Sequence, residues 1–112
     1  MVTIYHNPYC SNSRRALEVI RAAGIEPQIV EYLKMPLSEE RLRELVARLG
    51  QPLRSLVRDK EPVFAQLGLA DADEAALFAA VAANPVLLNR PIVVSAKGAK
   101  LCRPGDQAAS LL

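Results

Sequence analysis

The sequence predicts a mixed α/β fold, in which a β-α-β unit and a β-β-α unit are separated by a helical segment. Two short β-type runs lie in the first third of the chain and two more lie near its end. Apolar residues at helical spacing follow the run nearest the N-terminus. The central part is rich in alanine and contains helix-breaking residues at intervals. With 112 residues, the chain has the length of one domain.

The first 33 residues have the pattern of a β-α-β unit. Residues 2–5 form a β-type run, and residues 11–23 have apolar side chains at helical spacing. Gly24 follows, and glycine readily adopts the left-handed conformation that commonly ends a helix. Residues 28–33 form a second β-type run. Because the connection between the two strands is short, we expect them to pair in parallel with a right-handed crossover.

The central segment, from about residue 36 to residue 88, is predicted to be helical. Ser38 can cap a helix that has two glutamates in its first turn and ends at Gly50. Between Pro52 and Pro85 the sequence indicates several short helices, with breaks at proline, glycine and aspartate positions. The apolar stripe of the first helix is interpreted as core.

The last part of the chain is predicted to form a β-hairpin followed by a helix. Residues 91–94 and 99–102 are the two strands, residues 97–98 form the turn, and Pro104 occupies an early position of the final helix. We therefore expect a single domain over residues 1–112, with a thioredoxin-like four-stranded mixed sheet and an inserted helical subdomain.

Composition excludes several classes of function. Fourteen basic and twelve acidic side chains give a net charge of +2, which is too small to predict nucleic-acid binding. Two cysteines are too few for a disulfide framework, and a single histidine gives no metal-ligand cluster. No apolar run approaches the ~18 residues of a membrane span, and the N-terminus has no signal-like segment. We expect a soluble, cytoplasmic protein without a metal, a membrane or a nucleic acid as partner.

Cys10 is the candidate nucleophile. It lies between the first predicted strand and the first predicted helix, where unpaired N–H groups and the helix dipole lower the pKa of a thiol. Ser13 stands where dithiol oxidoreductases have a second cysteine; its hydroxyl can donate a hydrogen bond to a thiolate but cannot form a disulfide. Another thiol must therefore resolve an oxidised Cys10. The alternative is that Cys10 is a small buried hydrophobe.

Three further residues are candidates for roles around this thiol. Arg14 contributes to a polar, cationic surrounding, although it can also be a solvated helix residue. His6 can carry a proton or support the thiolate, or it can hydrogen bond the backbone of a turn. Cys102 is interpreted as core packing, with a resolving thiol as the alternative.

Arg58, Arg90 and Arg103 are candidate oxyanion ligands, because guanidinium groups match the geometry of tetrahedral anions. Arg90 precedes the third strand and Arg103 follows the fourth, so the hairpin brings these two close together. In thioredoxin-like folds, a proline at the position of Pro91 commonly has a cis peptide bond and packs beside the active thiol. The alternative is an edge-strand proline in trans.

The motifs closely resemble those of glutaredoxin-coupled arsenate reductases, in order along essentially the whole chain. The matching motifs are His6-Asn7-Pro8-Tyr9-Cys10 with Ser13-Arg14, Val57-Arg58 through Glu61-Pro62, Leu67-Gly68-Leu69, Asn89-Arg90-Pro91-Ile92-Val93-Val94 and Leu101-Cys102-Arg103-Pro104.

The resemblance implies a mechanism and a set of partners. Cys10 would attack arsenate and form a thiol–arsenic adduct, and Arg58, Arg90 and Arg103 would bind the oxyanion. Glutathione would be the co-substrate, glutaredoxin would complete the reduction to arsenite, and no bound cofactor is implied.

The sequence departs from the family pattern in two places. Ser11-Asn12 stands where members more often have Gly-Thr, and the chain ends soon after Arg103, a difference we expect to affect packing more than chemistry. One alternative function is a glutathione-dependent thiol oxidoreductase of the same fold without arsenate activity; the presence of all three arginines favours the reductase. Another is an Spx-type redox-sensing transcriptional regulator. Ser13 argues against that class, which senses redox state through Cys-x-x-Cys.

Overall fold

A computed structural model describes all 112 residues of the chain and contains one four-stranded mixed sheet. The strand order is β2-β1-β3-β4; β1 and β2 are parallel, and the other two pairs are antiparallel. This arrangement confirms the predicted thioredoxin-like fold class. The strands are β1 (Thr3–Tyr5), β2 (Gln28–Val30), β3 (Ile92–Ser95) and β4 (Gly98–Leu101).

The chain forms two compact units, and the first contains the sheet. This unit comprises residues 1–35 and 90–112, with helix α1 (Ser11–Ala22) and a C-terminal 3-10 helix (Gly105–Leu111). Gly24 has a φ of 79°, in the left-handed region, as the sequence predicts for the end of α1. The core joins apolar side chains from the sheet, α1 and the C-terminal segment: Val2, Ile4, Ala16, Ile20, Val93, Cys102, Ala108 and Leu111.

The second unit, residues 36–89, is helical. Ser38 caps its first helix by accepting a hydrogen bond from the backbone N–H of Arg41 at 3.1 Å, and Gly50 ends that helix with a φ of 69°. The helices are α2 (Glu39–Leu49), α3 (Pro62–Gln66) and α4 (Glu74–Ala83), with 3-10 turns at Leu53–Leu56, Leu69–Asp71 and Pro85–Leu87. None of the helices in the structure combines the length and the apolar character needed to cross a membrane.

Several predicted boundaries are wrong. The hairpin strands are Ile92–Ser95 and Gly98–Leu101 rather than residues 91–94 and 99–102, because Ser95 pairs with Gly98 and the turn therefore lies at residues 96–97 instead of 97–98. The second strand ends at Val30 rather than at residue 33, because the carbonyl of Glu31 accepts hydrogen bonds from the N–H groups of Lys34 and Met35 and so forms a turn. The final helix is a 3-10 helix, and Pro104 precedes it in an extended conformation instead of occupying an early helical position.

Close packing of the C-terminal segment on α1 requires a glycine at position 105. A Cβ atom added to Gly105 would lie 2.3 Å from the carbonyl oxygen of Asn12 and 2.7 Å from the backbone nitrogen of Ala16. Neither backbone atom can move without disturbing the first turn of α1. The segment that follows Arg103 is therefore held directly against the start of α1.

Candidate active site

Cys10 occupies the N-cap position of α1, in agreement with the sequence prediction. Its backbone is extended, with φ −99° and ψ 124°, and its carbonyl accepts a hydrogen bond from the N–H of Arg14 at 3.0 Å. The backbone N–H of Cys10 donates to the carbonyl of Asn7 at 3.0 Å, and the N–H of Tyr9 donates to the side-chain oxygen of Asn7 at 2.9 Å. These hydrogen bonds fix the loop that leads from β1 to the thiol.

The pKa of Cys10 is lowered from its ordinary value, although the residue is only 8% exposed. Burial is the largest influence and raises the pKa. It is outweighed by hydrogen bonds from the backbone N–H of Ser13, the side chain of Arg90 and the backbone N–H of Asn12, together with the positive charge of Arg90. The start of the helix and a guanidinium group thus favour the thiolate.

The β3–β4 hairpin brings two of the three candidate arginines to this thiol. Besides the contact of Arg90, Nη1 of Arg103 lies 3.9 Å from Cys10 Sγ and donates a hydrogen bond to the Arg90 carbonyl at 2.8 Å. The N–H of Cys102 donates to the Pro91 carbonyl at 2.9 Å, which extends the pairing of the hairpin to the strand ends where both arginines lie. The Arg90–Pro91 peptide bond is cis, as expected, and so is the Arg103–Pro104 bond, for which the sequence gives no signal.

Ser13 supports the thiol through its backbone rather than through its hydroxyl. The hydroxyl oxygen lies 2.6 Å from Nδ1 of His6 and accepts a hydrogen bond from the backbone N–H of Asn7 at 3.0 Å. All three residues are buried. The hydroxyl therefore joins the loop before Cys10 to the first turn of α1, and the hydrogen bond to Cys10 comes from the Ser13 N–H.

His6 has a lowered pKa and is neutral at physiological pH. Burial is the main cause; the negative charge of Glu31 opposes it, and the positive charges of Arg21 and Arg14 lower the pKa further. The backbone N–H of His6 donates to the Val30 carbonyl at 2.9 Å. A neutral imidazole can accept a hydrogen bond from the Ser13 hydroxyl, which suits a structural link better than a proton carrier.

Arg14 is placed on the loop rather than on the thiol. Its Nη1 atom donates a hydrogen bond to the carbonyl of Pro8 at 2.9 Å, and its side chain is exposed. It therefore stabilises the turn before Cys10 and adds a positive charge at the surface. No three His, Cys, Asp or Glu side chains in the described chain are grouped so that they could hold a metal ion.

Arg58 belongs to the second unit and forms an ion pair there. Its Nε atom lies 3.1 Å from the Oε1 atom of Glu61, and both side chains are about three quarters buried. The backbone N–H of Arg58 donates to the Leu87 carbonyl at 2.8 Å, which fixes its position within that unit. Its approach to an oxyanion at Cys10 stays a prediction.

Cys102 is buried like Cys10, but its sulfur has different surroundings and its pKa shifts in the opposite direction. It is fully buried in the core of the first unit, and burial raises its pKa to about 11, with a small opposing effect from Lys100. Its Sγ atom lies 3.6 Å from the Lys100 carbonyl oxygen. A neutral, inaccessible thiol supports the interpretation of Cys102 as core packing.

Sequence reasoning missed the residues that shape the loop and hold the C-terminal segment. The side-chain oxygen of Asn7 accepts a hydrogen bond from the N–H of Tyr9, and the Asn7 carbonyl accepts one from the N–H of Cys10. The side-chain oxygen of Asn12 accepts a hydrogen bond from the N–H of Gly105 at 3.4 Å. Asn-Pro is a turn dipeptide, and that signal could have identified Asn7. No local pattern pairs Asn12 with Gly105, because they are 93 residues apart.

The fold and this site define the class: a thioredoxin-like protein with one thiol of lowered pKa and two arginines beside it. The model of the ArsC family matches residues 5–111. This chain belongs to the ArsC family.

Several similar proteins are named as arsenate reductases. The chain is 47% identical to an arsenate reductase of Rhizobium meliloti (strain 1021), over 99% of this chain and 81% of the relative. Its fold matches the structure of an arsenate reductase from Vibrio cholerae with a TM-score of 0.94 and 42% identity, covering 99% and 97% of the two chains. A putative arsenate reductase from Yersinia pestis matches with a TM-score of 0.92 and 43% identity, covering 98% and 99%.

Proposed function

We propose that this protein reduces arsenate to arsenite, with Cys10 as the nucleophile. The observation that supports this most directly is the pair Arg90 and Arg103 beside a thiol of lowered pKa. A thiolate and an oxyanion repel each other in water, and fixed guanidinium groups allow both to occupy one site. The names of the relatives supply the identity of the oxyanion.

In the first step, the Cys10 thiolate attacks the arsenic atom of arsenate. A sulfur–arsenic bond forms, an arsenic–oxygen bond breaks, and the oxygen leaves as water after taking up protons; arsenic remains As(V). Arg90 and Arg103 hold the remaining oxygens and offset their charge. Arg58, from the second unit, is the third arginine we assign to the oxyanion, and Glu61 holds its guanidinium group in place before the substrate binds.

Glutathione and glutaredoxin are the proposed reductants. The thiol of glutathione displaces a second oxygen from the adduct as water, and a glutaredoxin thiolate then attacks the glutathione sulfur. The sulfur–arsenic electron pair passes to arsenic, which becomes As(III), while the two attacking thiols are oxidised to one mixed disulfide. Hydrolysis of the remaining Cys10–arsenic bond releases arsenite. The serine at position 13 and the buried, neutral Cys102 support the use of external thiols.

His6, Ser13, Arg14 and Pro91 are proposed as positioning residues. The His6–Ser13 contact joins the loop to the helix, Arg14 holds the Pro8 carbonyl, and the Pro91 carbonyl receives the N–H of the residue before Arg103. We place the protein in the cytoplasm, because a site that uses free thiols requires a reducing compartment.

A coupled assay tests the proposed function. NADPH oxidation is followed with glutathione reductase, glutathione and glutaredoxin, with and without arsenate, and arsenite is measured directly. We expect NADPH consumption that depends on both arsenate and Cys10, with one arsenite formed per NADPH. If Cys10 exchanges disulfides with glutathione but arsenate causes no turnover, the protein is instead the thiol oxidoreductase of the same fold.

A further inference from the structure

Tyr9 projects an exposed aromatic ring from a rigid loop, directly beside Cys10. Its side chain is 84% exposed. The backbone around it is nevertheless fixed, because the N–H groups of Tyr9 and Cys10 both donate to Asn7 and the Pro8 carbonyl accepts from Arg14. The fold therefore gains almost nothing from the ring itself. An aromatic side chain held in this way loses little conformational entropy on binding a partner.

Two more exposed apolar side chains leave the sheet at the same edge. β1 and β2 are parallel neighbours, with Tyr5 opposite Val30, so the segments that follow both strands start side by side. Leu33 is 38% exposed and Met35 is 74% exposed in the segment after β2. We call Tyr9, Leu33 and Met35 the thiol-edge surface.

Uncompensated positive charge lies near this surface. Arg14 and Arg103 are both exposed, and their hydrogen bonds go to the backbone carbonyls of Pro8 and Arg90, which carry no net charge. An apolar surface with cations at its border is complementary to a partner with an apolar centre and acidic groups around it.

We propose that the thiol-edge surface docks the protein thiol that reduces the Cys10 intermediate, with Tyr9 as the anchor. This inference rests on the proposed function in one respect, the use of a protein reductant. Such a partner must bring its thiolate to the glutathione sulfur, which is bonded either to the Cys10 sulfur or to the arsenic atom on Cys10. It must therefore cover the residues that flank Cys10. The partner is a protein rather than glutathione, because small molecules bind in concave sites, whereas exposed aromatic side chains are typical anchors of protein interfaces.

Deglutathionylation tests this docking without arsenate. Cys10 is converted to its mixed disulfide with glutathione by treatment with glutathione disulfide. A dithiol glutaredoxin is then added; its thiolate attacks the glutathione sulfur, a new disulfide forms to glutaredoxin, and Cys10 leaves as the thiolate. The exchange needs no net oxidation or reduction. Mass spectrometry follows the loss of glutathione from wild type, Tyr9→Ala and Tyr9→Phe.

We expect Tyr9→Ala to lower kcat/KM for glutaredoxin roughly 5- to 30-fold, and Tyr9→Phe to stay within about twofold of wild type. Dithiothreitol should reduce all three mixed disulfides at equal rates, and iodoacetamide should label their free thiols at equal rates. Raised ionic strength should lower the glutaredoxin rate in wild type. Equal glutaredoxin rates in wild type and Tyr9→Ala would overturn the proposal, as would a parallel loss with dithiothreitol. Because arsenate is absent, this result is independent of whether arsenate is the substrate.

Discussion

Cys10 and Cys102 are both buried, with 8% and 0% exposure, and burial raises the pKa of each thiol. Their pKa values nevertheless move in opposite directions. Cys10 receives hydrogen bonds from two backbone N–H groups and from Arg90, whereas Cys102 lies near a carbonyl oxygen and has only a weak influence from Lys100. Burial therefore acts in the same direction on both thiols, and the donors aimed at the Cys10 sulfur reverse its effect at that position only.

The most direct test of this difference between the two cysteines is to replace each thiol in turn. Cys10→Ser should abolish arsenate reduction, because a hydroxyl is not ionised near neutral pH and is a poor nucleophile for arsenic. Cys102→Ser should retain most of the activity, since this thiol is neutral and inaccessible. Arsenite production by each variant, with circular dichroism as the control for folding, measures both effects. Turnover by folded Cys10→Ser would require a different nucleophile.

Alkylation of the native protein should distinguish the two thiols by a large factor. With a pKa of about 11, only about one Cys102 side chain in 3000 is a thiolate at about pH 7.5, even before burial limits access. The labelling rate of Cys10 should rise with pH and level off below the ~8.5 of an unperturbed thiol. Iodoacetamide labelling followed by peptide mass spectrometry gives both rates. An inflection for Cys10 at or above ~8.5 would contradict its lowered pKa.

Substitution of the arginines tests the same difference further, because Arg90 and Arg103 lie beside Cys10 and not beside Cys102. Arg90→Ala and Arg103→Ala should each lower arsenate turnover about 30- to 1000-fold. Arg90→Ala should also raise the pKa of Cys10, since Arg90 stabilises the thiolate. Arg→Lys at either position keeps the charge but lacks the bidentate geometry, so we expect partial rescue.

Arg58→Ala tests whether Arg58 also binds the oxyanion. We expect this variant to lower kcat for arsenate more than it raises KM. The matched control is Arg54→Ala, a second arginine of the helical unit that donates to the carbonyls of Leu69 and Ala72. Activity within a few-fold of wild type in all three alanine variants at positions 58, 90 and 103 would favour the thiol oxidoreductase alternative.

Local patterns were sufficient to predict the strand order of the β-α-β and hairpin units, the cap at Ser38 and the place of Cys10 at the start of α1. They failed where a contact distant in sequence decides the structure. The Ser13 hydroxyl is the clearest case, because it contacts the buried imidazole of His6 rather than the nearby thiol of Cys10. The close packing of Gly105 against the backbone of α1 is another, since the two segments are far apart in sequence. The sequence could place two arginines at adjacent strand ends because hairpin geometry is local.

The smallest expected effect is on the pH dependence of the free energy of unfolding, to which the two thiols contribute with opposite sign. Cys102 ionises near pH 9 when unfolded and near pH 11 when folded, so it favours the folded state below about pH 9. That contribution should be lost as the pH rises from 9 to 11, by about 2–3 kcal/mol. Cys10 has the opposite sign: its folded pKa is lowered, so its contribution is present above the unfolded pKa and is lost as the pH falls through the folded one.

Urea unfolding of wild type, Cys10→Ala and Cys102→Ala, under reducing conditions and from well below pH 9 up to about pH 11, isolates the two contributions as differences from wild type. The stability difference between wild type and Cys102→Ala should fall with rising pH, and the corresponding difference for Cys10→Ala should rise. The other titrating groups cancel in these differences, because each variant shares them with wild type. If both differences changed with pH in the same direction, the two sulfur environments would not differ in the way their hydrogen-bond donors imply.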